Sequence, residues 1–143
     1  MAELLGQHRY QLDAKGRVAL PTRFREAFEG GVFLTLGHDG CLFAYPSAEW
    51  ERRSGEVRSQ PLSGQQARAY ARMFFANAEQ VDLDGQGRLL IPQKLRALIG
   101  LGRDAVVIGV SERLEIWPSA EWDRYEQAHS GGYSAGTLQP EGR

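Results

Sequence analysis

The sequence predicts an α+β protein, mainly β, built from two tandem ββ-α-ββ repeats with linking helices. Two observations carry that reading. The pentapeptide Pro46-Ser47-Ala48-Glu49-Trp50 returns unchanged as Pro118-Ser119-Ala120-Glu121-Trp122. Each copy also closes a segment opened by Leu-Asp-x-x-Gly-Arg-x-x-x-Pro, once from Leu12 to Pro21 and once from Leu83 to Pro92. The offset between copies is 71 residues at Asp13/Asp84 and 72 at Pro46/Pro118, so the copies differ by small insertions and deletions, which turns accommodate best. A chain assembled from two copies of one small unit works through symmetry more readily than through a single pocket.

Each copy opens with an alternating stretch. Tyr10 and Leu12 lie on one face with Gln11 and Asp13 on the other, matched by Val81 and Leu83 against Asp82 and Asp84, and this period of two predicts a strand. Asp13-Ala14-Lys15-Gly16 and Asp84-Gly85-Gln86-Gly87 follow. Asp at the first position of a turn accepts backbone N–H bonds, and Gly at the fourth adopts dihedrals that other residues avoid. Asp13, Gly16, Asp84 and Gly87 are therefore the turn-shaping residues, and each turn delivers an arginine, Arg17 or Arg88.

A short apolar strand comes next, Val18 to Leu20 or Leu89 to Ile91, and then a proline that suits the first turn of a helix. Phe24, Ala27 and Phe28, and Leu95, Leu98 and Ile99, give each short helix one apolar stripe. Gly30-Gly31 and Gly100 stop these helices. Two more strands follow in each copy, Val32 to Leu36 and Cys41 to Tyr45 around Asp39-Gly40, then Val106 to Val110 and Leu114 to Trp117. Ser47 and Ser119 are candidate N-caps for following helices. Ser63-Gly64-Gln65-Gln66 reads as a capping box before an apolar stripe of Ala67, Tyr70, Ala71, Phe74 and Phe75. The boundaries are a first repeat over 6–50, a helical linker over 51–76, a second repeat over 77–122, and a C-terminal helix end and flexible tail over 123–143. The tail from His129 onward is rich in Gly and Ser and is expected to be mobile.

With 143 residues, 42% of them hydrophobic, the chain can bury a core. Its net charge of −1 excludes a generally basic nucleic-acid coat, so anion binding has to come from a local patch. No stretch reaches the roughly 18 apolar residues of a membrane span, and the first residues lack a signal-peptide plan, so a cytoplasmic protein is expected. The single cysteine, Cys41, forms no internal disulfide and reads as a small core residue.

The histidines, His8, His38 and His129, show neither metal-ligand spacing nor a neighbouring nucleophile, so neither an enzyme nor a metal or cofactor site is expected. Gly85-Gln86-Gly87 lacks the third glycine of a dinucleotide fingerprint, and Pro92 stands where its long helix should run. The cations are more informative. Arg9, Lys15, Arg17, Arg23 and Arg25 face the single acid Asp13, and Arg88, Lys94, Arg96 and Arg103 face Asp84 alone. Cations on a β-loop and adjoining helix suit phosphates, and an arginine on a projecting loop has the fork that grips guanine O6 and N7. The competing reading makes Arg23, Arg25, Lys94 and Arg96 the wet face of amphipathic helices, and makes Arg17 and Arg88 internal partners of Asp13 and Asp84. Trp50 and Trp122, with Tyr70, Phe74 and Phe75, read as core packing or a subunit interface rather than a stacking platform.

From about Gly6 to about Tyr125 the chain resembles the MraZ family of bacterial transcriptional regulators, within the SpoVT/AbrB DNA-binding superfamily. The two Leu-Asp-x-x-Gly-Arg-x-x-x-Pro segments carry the resemblance. It implies a double-wing, swapped-hairpin AbrB-like β-barrel in which the two repeats form a pseudo-dimer. It implies a nucleoid-associated homo-oligomer, a ring, that binds double-stranded DNA at short direct repeats upstream of the division and cell-wall gene cluster, its own gene included, usually as a repressor. No membrane or small-molecule substrate is implied. The family's Asp-x-x-x-Arg motif falls on Asp13 to Arg17 and Asp84 to Arg88. Arg17 and Arg88 would then approach DNA, with Lys15, Arg23, Arg25, Lys94 and Arg96 placing the phosphates. Gln86 stands where the first copy has Lys15, so unequal contacts from the two halves are expected. The alternatives are a structural ring without DNA binding and an antitoxin-like relative.

Overall fold

Strands of the two halves pair with each other. The computed structural model describes residues 3–136. The first half runs β1 (Leu4–Gln11), β2 (Arg17–Ala19), α1 (Thr22–Arg25) with a 3-10 turn at Glu26–Phe28, β3 (Val32–Leu36) and β4 (Leu42–Pro46). Two helices follow, α2 (Ser47–Arg58) and α3 (Gln65–Ala76). The second half repeats the order as β5 (Glu79–Val81), β6 (Arg88–Leu90), α4 (Gln93–Ile99), β7 (Asp104–Ser111) and β8 (Leu114–Pro118), and ends in α5 (Ser119–Ser134). The expected ββ-α-ββ order is present in both.

The hairpins β3–β4 and β7–β8 meet edge to edge through β4 and β8, centred on the pair Phe43/Glu115. The opening strand of each half then crosses over. β1 pairs with β7 along its whole length, from Leu4 opposite Ser111 to Gln11 opposite Asp104, and β5 pairs with β3. Among the described residues β2 pairs only with β6, in a ribbon whose central pair, Val18 with Leu89, joins two equivalent positions and so marks a local two-fold axis. The result is an open antiparallel sheet in the order β1-β7-β8-β4-β3-β5 plus a two-stranded ribbon. The barrel implied by the resemblance is not closed: β1 and β5 stand at opposite edges with four strands between them, and no ladder joins the ribbon to either edge.

Alternation along the strands separates two cores. Leu42 and Ala44 of β4, Leu114 and Ile116 of β8, and Ala105 and Val107 of β7 face the ribbon, where Val18, Leu89, Phe24, Phe28 and Leu95 complete one buried cluster. Phe43, Tyr45, Ile108 and Trp117 face the other way, against Phe74 of α3, with Trp50, Val57, Trp122 and Tyr125 packed around them. Trp50 lies parallel to Phe74, ring centres 5.1 Å apart, and Trp122 stacks on Tyr125. Of the expected aromatic stripe of α3 only Phe74 is core; Tyr70 and Phe75 are exposed, because a helix resting on a sheet buries a single row of side chains. Cys41 is buried in this second cluster, with Sγ donating to the His38 carbonyl, and burial pushes its thiol far above the ordinary range.

Several local expectations are corrected. Pro46 and Pro118 occupy the N-cap positions of α2 and α5, so Ser47 and Ser119 are first helical residues and make no cap. The Ser119 hydroxyl instead accepts from Arg9 Nη1 at 2.9 Å. The capping box at Ser63 does not form, because a turn from Pro61 to Gly64 puts glycine at the N-cap of α3. Leu98 is 48% exposed: Leu95 and Ile99 share the inward side of α4, and Leu98 turns toward solvent. The tail expected to be mobile from His129 is helical through Ser134, with His129 packed on Tyr125 at 4.2 Å; its remainder from residue 137 lies outside the described residues. Among the described residues no helix is long and apolar enough to cross a membrane.

Leu95 is 1% exposed, so Leu95→Ala should cost about 2 to 5 kcal/mol of stability. Leu98→Ala should stay within about 0.5 kcal/mol. Urea unfolding of the two variants checks which side of α4 carries the core.

Candidate nucleic-acid interface

The ribbon has an inward and an outward face. Val18 and Leu89 point into the core, fully buried, so the period of two sends Arg17, Ala19, Arg88 and Leu90 to the outside. Arg17 lies opposite Leu90 and Arg88 opposite Ala19. The two arginines therefore sit diagonally on one surface, offset along the strands by about 7 Å. The two turns flank the ribbon at its opposite ends, each closed by the same bonds.

In the first turn the Asp13 amide donates to the Arg17 carbonyl at 3.0 Å and the Gly16 amide to the Asp13 carbonyl at 3.0 Å. Asp13 Oδ1 accepts from the Lys15 and Arg17 amides, both at 2.9 Å, and Oδ2 accepts from Arg17 Nε at 2.7 Å. Asp84 repeats this with Gln86, Arg88 and Arg88 Nε at 2.9, 2.9 and 2.7 Å. A carboxylate accepting several N–H donors is stabilised in its charged form. The Arg17 amide is the largest influence on Asp13, which is held down at about 2, and the Arg88 amide acts likewise on Asp84. The internal pairing of both arginines with their aspartates is thus formed. It engages Nε alone: among the described residues the terminal amino groups of Arg17 and Arg88 make no hydrogen bond, and about a quarter of each side chain stays accessible.

The remaining candidates separate into two kinds. Lys15, Gln86 and Lys94 are exposed, and their side chains make no hydrogen bond among the described residues. Arg23 is exposed too, donating to His8 Nε2 at 2.8 Å and lying over Phe24. Arg25 and Arg96 are half-buried and turned back into the protein. Arg25 Nε donates to the Leu20 carbonyl at 3.2 Å and Arg96 Nε to the Ile91 carbonyl at 2.9 Å. Their guanidiniums pass over the turn of the opposite half: a Cβ on Gly16 would lie 2.6 Å from Arg96 Cζ, and one on Gly87 would run into Arg25. Gly16 and Gly87 are required for φ of +86° and +74°, and a Cβ at either would also displace the guanidinium that covers it. Reading the turn alone reveals the φ requirement but not the covering arginine. The available signal for that arginine is that Arg25 and Arg96 recur eight residues after Arg17 and Arg88. Arg9, which sequence groups with the cations, is spent on Ser119 and Asp123 of α5.

Other surfaces offer less. A concavity near α2 and α3 has Tyr45, Tyr70 and Phe74 in its wall, but its cations Arg53 and Arg113 are already paired with Glu56 and Glu115. Among the described residues no three His, Cys, Asp or Glu side chains converge to hold a metal.

Known proteins match most of the chain. A family model described as "MraZ protein, putative antitoxin-like" matches twice, over residues 4–73 and 74–137. A protein of Acetivibrio thermocellus named "Transcriptional regulator MraZ" is 46% identical over 120 residues, covering 84% of each chain. Proteins of the same name from Pelotomaculum thermopropionicum and Saccharopolyspora erythraea are 44% and 43% identical, over 90% and 91% of this chain and 89% and 91% of their own.

Because folding depresses the Asp13 pKa from 3.8 to about 2, its contribution to the turn is complete above pH 4 and is lost as pH falls through about 2. Carboxyl-carbon NMR titration should give Asp13 a midpoint near 2, with the Arg17 amide shift following it. A midpoint near 3.8 would mean that these bonds are not held in solution.

Proposed function

The chain is a member of the MraZ family, and on that premise we propose that it is a non-enzymatic transcription regulator that binds double-stranded DNA in a sequence-specific way. The observation that carries the proposal is the outward face of the β2–β6 ribbon, where two arginines at equivalent positions stand diagonally with their terminal amino groups unengaged. A two-stranded ribbon fits the major groove, and an arginine whose free edge faces a guanine donates to O6 and N7 together. The Asp-to-Nε bond fixes the direction of each fork before DNA arrives, which reduces the ordering cost of contact. Lys15, Arg23 and Lys94 flank the ribbon as phosphate partners, and Gln86, being uncharged, gives the second turn a weaker hold. Asp13 and Asp84 shape the turns and stay clear of the phosphates.

The exchange of β1 and β5 between the halves supports the swapped-hairpin, double-wing arrangement as an internal pseudo-dimer. In this reading the protein acts in the cytoplasm, on the nucleoid, as a homo-oligomeric ring. The ring engages short direct repeats upstream of the division and cell-wall gene cluster, its own gene included, and represses it. One ribbon binds weakly; several on one duplex raise the effective concentration, and avidity exceeds single-site affinity by roughly 10²-fold to 10⁴-fold where repeat spacing fits the ring.

Arg17→Ala should cost about 1 to 3 kcal/mol of operator affinity and relax sequence preference. Lys15→Ala should weaken all sequences alike and reduce the salt slope by about 0.9. Fluorescence anisotropy across salt, on the duplex upstream of the protein's own gene and with solution mass measured alongside, separates the two. Unchanged affinity in a folded Arg17→Ala, Arg88→Ala double variant would defeat the assignment and favour a purely structural role for the turns.

A further inference from the structure

We propose that Arg25 and Arg96 are positioning residues that act across the two-fold axis: each holds in shape the arginine-bearing turn of the opposite half, so the two DNA-facing arginines are set by each other's half. The inference rests on the reading of the ribbon as the DNA-facing surface. It replaces the expectation that these two cations hold phosphates.

The geometry forms two equivalent circuits. In one, the Leu20 amide donates to the Gly87 carbonyl at 3.2 Å, the Leu20 carbonyl accepts from Arg25 Nε at 3.2 Å, and the Arg25 guanidinium returns over Gly87, filling the space where a Cβ would project. In the other, the Ile91 amide donates to Gly16 at 3.0 Å, the Ile91 carbonyl accepts from Arg96 Nε at 2.9 Å, and the Arg96 guanidinium covers Gly16. Gly87 stands directly before Arg88, and Gly16 directly before Arg17. A guanidinium is suited to this task because it is planar and donates from Nε while its flat body packs on backbone; a lysine ammonium carries the same charge but neither feature. Each turn is thus held from inside by its own aspartate and from outside by the other half's arginine.

The test uses the full chain and the duplex upstream of its own gene, with Arg96→Ala, Arg96→Lys, Arg25→Ala and Arg25→Lys. Amide exchange on the free protein is the first readout. Arg96→Ala should deprotect residues 13–17 and leave 84–88 unchanged, and Arg25→Ala should do the reverse. Loosening confined to the substituted arginine's own half, or none at all, overturns the proposal. Gly16→Ala gives a second handle that needs no DNA: it should damage the first turn less in an Arg96→Ala background than in the parent, and equal damage in both also counts against the proposal. Binding is the remaining readout. Arg96→Lys should lose about tenfold in affinity, as Arg96→Ala does, with an unchanged salt slope. The Arg17→Ala, Arg96→Ala pair should bind no worse than Arg17→Ala alone. If Arg96→Lys binds like the parent while Arg96→Ala lowers the salt slope by about 0.9, Arg96 is a phosphate contact and the proposal is wrong. Crosswise loosening in a protein whose parent form binds no duplex would uphold the lock and sink the DNA reading instead.

Discussion

Neither half of this chain can complete its own backbone hydrogen bonding, and the architecture follows from that constraint. β1 of the first half finds its partner in β7 of the second, β5 of the second finds β3 of the first, and the short strands β2 and β6, among the described residues, have only each other. A three-residue strand carries too few bonds to persist alone. It persists here because Val18 and Leu89, paired across the local axis, are buried under Phe24, Phe28 and Leu95. Separating the halves would uncover that core and strand the ladder groups of several strands together, so the two repeats make one cooperative unit.

On this frame charge is placed economically. Each turn's carboxylate takes three N–H donors and so offsets its own arginine, leaving the ribbon nearly neutral at its centre. Lys15, Arg23 and Lys94 are exposed and have no carboxylate partner among the described residues. Arg9, Arg25 and Arg96, which contribute to the same basic clusters along the chain, are committed to holding the molecule together. Of these three only Arg9 is offset by an acid, Asp123; Arg25 and Arg96 donate to carbonyls and keep their charge beside the turns.

What sequence made legible was the part set by neighbours a few residues apart. The Asp-to-Gly turns need only positions i, i+2, i+3 and i+4, so their bonds could be read directly, and the repeat supplied its own control. The alternation that splits Leu42 and Ala44 from Phe43 and Tyr45 was likewise readable as strand, and Phe74 as core, though its neighbours Tyr70 and Phe75 are exposed. Local rules failed where something nearby or distant outweighed them. Prolines took the cap positions that the serines were expected to fill. Ring contact between Tyr125 and His129 accompanies a helix that continues past Gly131 and Gly132, where composition suggested a loose tail. The roles of Arg25 and Arg96 depend on a strand register between halves some seventy residues apart, which no window along the chain contains.

Covalent joining of the two halves frees them to differ, and the ribbon shows how. Around its axis Lys15 corresponds to Gln86 and Ala19 to Leu90, so the surface is pseudo-symmetric in backbone but unequal in side chains. Two identical single-repeat chains meeting on a true axis could not achieve this, since every change would appear twice. One end of the outward face accordingly gathers Lys15, Arg17 and Leu90, and the other Gln86, Arg88 and Ala19, a smaller and less charged set. Rotating a bound duplex end for end would not restore the same contacts, and a molecule made by doubling thereby acquires a sense of direction.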